Sequence, residues 1–119
     1  MIERAFARAY GARDLGGMAG LLAPDAVAEL VGSGFPPETG AGAIREGSLA
    51  HLLEGEDLTA DVVTVEGASY VAFLDEDGGL DSLAALAVQG GLVVGLRYHT
   101  RWHDEAFVAR AAAALGLAD

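Results

Sequence analysis

Residues 97–103, RYHTRWH, gather two arginines, two histidines, a tyrosine and a tryptophan within seven positions. The chain carries seven Lys+Arg and three His against a formal net charge of −11, so this stretch reverses the local sign of charge. A cluster of that kind favours an anionic ligand group, because a cationic patch on an acidic protein focuses the field on itself. Arg97 offers a planar fork that matches a carboxylate. His99 could move a proton, as histidine side chains do in many sites, and Trp102 could stack on a ligand. Strand periodicity puts Arg97, His99 and Arg101 on one face and Leu96, Tyr98, Thr100 and Trp102 on the other. His99 and His103 are four apart, which suits a metal on a helix but not one astride a strand end, so no metal site is assigned and no cofactor is expected.

Glu29 is the second candidate. It is the only ionisable side chain in the apolar run 26–31, so it either points to solvent or enters the interior as a base or ligand group. Tyr10 closes a helical stripe with Ile2 and Phe6 and could reach the same interior, as could Leu30 next to Glu29.

These side chains need elements to hold them. Residues 2–10 read as an amphipathic helix that stops near Gly11, and Asp14 is a plausible N-cap for a second helix carrying Leu15, Met18, Leu21 and Leu22. Pro24 and Asp25 break that helix, and a short strand follows at 26–31. Residues 32–42 form a mouth rich in Gly and Pro that cannot continue a sheet, and Thr39 can cap the helix beyond it, with Ile44, Leu49, Leu52 and Leu53 on its apolar face. A turn at 54–57 leads to strands at 58–65, 68–74, 80–88 and 92–100, with Glu66-Gly67 as a two-residue hairpin signal. Asp104 can cap a last helix whose stripe is Phe107, Val108, Ala111, Ala112 and Leu115. The order predicts an α+β fold in which a four-strand meander and one further strand wrap the N-terminal helices.

The residues Ala23, Pro24, Asp25 and Ala26, followed by Gly40 to Arg45 in the pattern G-x-x-A-I-R, resemble the NTF2-like superfamily, in particular its SnoaL-like and ketosteroid-isomerase-like branch. The resemblance implies a cystatin/NTF2-like cone: a curved, mostly antiparallel sheet around the N-terminal helices, here with an added C-terminal helix that would cover a partner's sheet or the pocket. It also implies where isomerase chemistry would sit, and those positions fall on Leu30 for the base, Phe6 for the tyrosine and the neighbourhood of Ala84 for the aspartate. None of the three carries the chemical group. Register by resemblance turns Gly95, Arg97 and His99 toward the pocket, whereas hydropathy turns Leu92, Val94, Leu96 and Tyr98 inward instead; the two point opposite ways.

Composition excludes much. At 119 residues the chain reads as one domain, residues 1–119, and 52% hydrophobic content with 21% charged residues fits a packed globule. Eighteen acidic residues against seven basic ones repel nucleic acid and anionic membrane, so neither is expected as a partner. With no cysteine there is neither a disulfide nor a thiolate metal site. No apolar run reaches the roughly 20 residues that span a bilayer, and residues 1–10 lack a secretory apolar core, so a cytoplasmic location is expected.

The sequence therefore predicts a SnoaL-like pocket protein for a hydrophobic small molecule with an anionic group, acting as an isomerase, cyclase or hydrolase or binding without turnover. Glu29 and His99 are the candidate catalytic residues, and Tyr10, Leu30, Arg97 and Trp102 the candidate ligand contacts. The alternative is a non-catalytic dimerisation or regulatory module of the same fold. In either case, apolar residues of both parities in the meander, such as Val62, Val63, Val93 and Val94, predict a homodimer through the outer sheet face.

Overall fold

The structure, a computed structural model, describes residues 1–54 and 57–117. Helix α1 (Ile2–Gly11) buries Phe6 and Tyr10 on the face that the i, i+4 spacing dictates. Helix α2 (Leu15–Ala19) is capped as expected, the Asp14 carboxylate accepting the Gly17 amide. It ends sooner than expected, because Leu22 already belongs to strand β1 (Leu22–Leu30) and Pro24 and Asp25 lie within that strand instead of breaking a helix. Proline is tolerated there because the pairing jumps register between Leu22 and Val27.

The mouth also departs from expectation. Glu38 and Thr39 form a short strand, β2 (Glu38–Thr39), antiparallel to β1, so the Gly- and Pro-rich segment does return to the sheet. The helix beyond it is capped by Gly40 at φ 97°, not by Thr39. That helix runs as α3 (Ala41–Ile44), passes through a π-helical turn (Arg45–Leu49) and resumes as α4 (Ala50–Leu53). The turn expected at 54–57 includes Gly55 and Glu56, which lie outside the described residues.

The meander forms nearly where the alternation placed it: β3 (Thr59–Val65), β4 (Ala68–Leu74), β5 (Leu80–Gln89) and β6 (Leu92–Thr100). Glu66 and Gly67 both have positive φ, the geometry of the tight turn that matches strand twist. The six strands make one sheet in the order β2-β1-β6-β5-β4-β3, antiparallel except where β1 runs parallel to β6. One face of this sheet packs on the N-terminal helices around Phe6, Tyr10, Met18, Ile44, Phe73 and Leu96.

The other face carries a second core. Helix α5 (Glu105–Ala114) packs Phe107, Val108, Ala111 and Ala112 onto Val65, Ala72, Leu80 and Leu83. The C-terminal helix thus covers its own outer sheet face, which corrects the expectation that it shields the pocket or a partner. Among the described residues no helix is long and apolar enough to cross a membrane.

Candidate functional site

The face assignment of β6 decides what the cavity contains. Ala87 pairs with Gly95 but Val88 pairs with Val93, so Val94 is an extra residue in β6 and the parity of the strand changes there. Val93 and Leu96, three apart, are both fully buried on the inner face, and Tyr98 follows Leu96 inward. Arg97 and His99 consequently point outward. Hydropathy beyond the bulge prevails over the register implied by resemblance.

Arg97 pairs in register with Glu29, and its Nε lies 3.2 Å from Glu29 Oε1, both side chains about half exposed. Glu29 stands at the rim of a cavity, yet its carboxylate is engaged by Arg97. His99 sits under α5 between Tyr70 and Phe107, whose ring centroid is 4.5 Å away, and its Nδ1 is 2.8 Å from Asp104 Oδ2. Tyr10 lies in the inner core edge-on to Phe73, with its hydroxyl buried and without a hydrogen-bond partner among the described residues. Trp102 is 66% exposed beside the Arg101 guanidinium. Leu30 is half-buried against the inner core and lines the cavity. Of the candidates, Glu29 and Leu30 line this cavity, whereas Tyr10, Arg97, His99 and Trp102 are not among its lining residues.

The cavity itself, of about 200 Å³, opens at the mouth between β1, the segment ahead of β2, the π-helical turn and β6. Ala28, Leu30, Phe35 and Pro36 supply apolar wall, while Glu38, Ser48 and Tyr98 supply polar atoms. The hydroxyls of Tyr98 and Ser48 are 3.1 Å apart. Burial pushes the Tyr98 phenol well above its ordinary pKa; the Ser48 hydrogen bond works the other way and the nearby negative charge of Glu38 adds to the rise. Tyr98 therefore stays neutral and keeps a proton to donate.

Glu38 is held by the turn opposite. The Ser48 amide donates to both of its carboxylate oxygens, at 3.0 and 3.3 Å. A π-helical turn shifts the hydrogen-bond ladder by one residue, a geometry that leaves backbone donors for outside partners and recurs at functional sites. Gly47 lets the carboxylate come close, since a Cβ there would collide with Glu38 Oε2. Among the described residues Glu38 has no ion-pair partner, and no cationic side chain lines the cavity.

Sequence reasoning did not single out Glu38 or Ser48. The available signals were slight: Glu38 is the one charge in the 32–42 mouth, and Ser48 stands four residues after the buried Ile44. A wider groove between α1 and β3, lined by Arg4, Ala7, Arg8, Ala60, Asp61 and Val62, is more open to solvent.

The positions at which the resemblance expects isomerase groups are apolar in fact: Phe6 and Ala84 are fully buried in the inner core and Leu30 packs against it.

No family model and no curated protein matches this sequence. Solved structures do match in fold. A candidate polyketide cyclase from Xanthomonas campestris is 18% identical, with 91% of this chain and 92% of that chain covered and a TM-score of 0.58. An NTF2-like protein of unknown function from Mesorhizobium loti is 16% identical over 82% and 85% of the two chains, TM-score 0.60. A protein from Mycobacterium tuberculosis, solved in complex with estradiol-17β-hemisuccinate, is 16% identical over 81% and 88%, TM-score 0.56. The chain has the NTF2-like, cystatin-type α+β fold.

Proposed function

We propose that this protein binds a small, largely apolar molecule in the cavity at the mouth of the cone. The observation that carries this is the Tyr98–Ser48 hydroxyl pair, 3.1 Å apart, set among the apolar walls of Leu30, Phe35 and Pro36. An apolar recess with a few convergent polar atoms is the usual form of a ligand site. Its volume, about 200 Å³, is below the roughly 300 to 1,000 Å³ of drug-sized pockets and suits a ligand of about one ring. A fold neighbour solved with estradiol-17β-hemisuccinate supports the use of this fold as a container.

The test is titration of ¹⁵N-labelled protein with single-ring compounds of different charge. Amide shifts centred on Leu30, Phe35, Glu38, Ser48 and Tyr98 are expected. Shifts confined to the α1/β3 groove, or no shifts with any compound, would overturn the proposal.

A second reading, homodimerisation through the outer sheet face, has its own support. Helix α5 covers β4, β5 and the His99 end of β6, but Val27 on β1 remains 38% exposed beside the Glu29–Arg97 pair, and Leu92 at the start of β6 remains 37% exposed. Binding and dimerisation are compatible, because the cavity opens on the inner side of the sheet.

A further inference from the structure

Resting on the cavity reading above, we propose that the ligand is an organic cation, a protonated amine carried on a small apolar or aromatic group, with Glu38 as its counter-ion. Three observations meet here. Glu38 is a half-buried carboxylate, fixed by the Ser48 amide, with no cation beside it among the described residues. An ionised carboxylate has about four lone-pair directions, and the Ser48 amide, shared between the two oxygens, leaves about two of them to a ligand. A half-buried carboxylate beside apolar walls is stabilised by a partner of opposite sign.

The rest of the lining fits the same ligand. Phe35 and Tyr98 supply aromatic rings, whose negative faces attract a cation. The hydroxyl oxygens of Tyr98 and Ser48 accept hydrogen bonds, which an ammonium group can donate up to three times. At larger distance the formal charge of −11 steers cations toward the protein and repels anions. The π-helical turn and Gly47 give the carboxylate its place: a side chain at residue 47 would occupy the position of Glu38 Oε2.

The experiment compares three probes of nearly equal size on the full chain: benzylamine, benzyl alcohol and benzoate. Each is titrated by calorimetry at low salt and located by the ¹⁵N amide shifts of the cavity residues. Benzylamine is expected to bind at least about tenfold more tightly than benzyl alcohol, a ratio that one charge-assisted contact accounts for, with benzoate the weakest. Glu38→Gln should remove that preference while leaving the alcohol bound in the same place. Wild-type protein that binds benzyl alcohol as tightly as benzylamine, with cavity shifts for both, would overturn the cation assignment and leave the cavity reading standing. Cavity shifts with none of the three would overturn both. The selectivity is read on wild type alone, so a Glu38→Gln variant that fails to fold does not decide the matter.

Discussion

The Asp104 carboxylate lies 2.8 Å from His99 Nδ1 and, held there, leaves the N-terminus of α5 without a side-chain cap. Its position ahead of an apolar helical stripe predicts a capping role for Asp104. It occupies the N-cap position, but its carboxylate bonds His99 of the last strand instead of the amides of its own helix. The bond clamps α5 to the outer sheet face, where His99 is packed between Tyr70 and Phe107.

From this clamp, Asp104→Ala should cost about 1.5 to 3 kcal/mol, the range for a hydrogen bond involving a charged group. Urea unfolding gives the number, and hydrogen exchange should show the loss concentrated in α5. Affinity for a molecule in the cavity should not change, since His99 and Asp104 lie on the opposite side of the sheet. A tenfold fall in binding with the fold intact would return His99 to the site.

Phe6 tests the inner core. It is fully buried and lies on α1 one turn before Tyr10. Phe6→Ala should destabilise the protein by about 3 to 5 kcal/mol, the range for truncating a buried aromatic. A loss below about 1 kcal/mol in urea melts would mean the helix face is not packed on the sheet as described.

How much of this was legible in the sequence depended on whether a feature is periodic. Strand β3 and helix α1 followed from alternation and i, i+4 spacing, because those patterns record which side of an element is buried. Two features broke the pattern. The Val94 bulge changes the parity of β6, so Val93 and Leu96 share a face that simple alternation assigns to different sides. The π-helical turn brings Ser48 to Glu38 by a register shift that residue types do not encode. The clustered charges at residues 97–103 misled for a physical reason: they are shared among separate partners, Arg97 with Glu29, His99 with Asp104 and Arg101 with Asp81, and so do not converge. A lone carboxylate in a Gly- and Pro-rich mouth gave a weaker signal than that cluster, although it lines the cavity with no cation beside it among the described residues.

The uncovered outer face yields a prediction about assembly. If Val27 and Leu92 pack against a second copy, light scattering at micromolar concentration should give twice the mass of the chain, and Val27→Glu should return it to one. The Glu29–Arg97 pair would then be desolvated, so Arg97→Ala should weaken the dimer. In a monomer the same substitution removes a half-exposed ion pair and should change stability by less than about 1 kcal/mol. A single-chain mass for wild type would remove the dimer.

Tyr98 gives a prediction in pH. Its phenol is raised above the ordinary value chiefly by burial, so the folded state holds its proton at pH values where the unfolded chain, with an ordinary tyrosine pKa of about 10, has lost it. Over that window the folded state binds more protons than the unfolded one, and the linkage relation then requires stability to fall as pH rises. The contribution is complete below about pH 10 and is lost progressively as pH climbs toward the folded value. Tyr98→Phe removes the titrating group but keeps the ring. It should therefore lose less stability than wild type between about pH 9.5 and 11, although at pH 7 it should be less stable by about 0.5 to 1.5 kcal/mol for the hydrogen bond to Ser48. Urea melts of the two proteins at several pH values give both numbers. Parallel pH dependence would show that the Tyr98 hydroxyl ionises as freely in the folded protein as in the unfolded chain, and would place it in water instead of at the floor of the cavity.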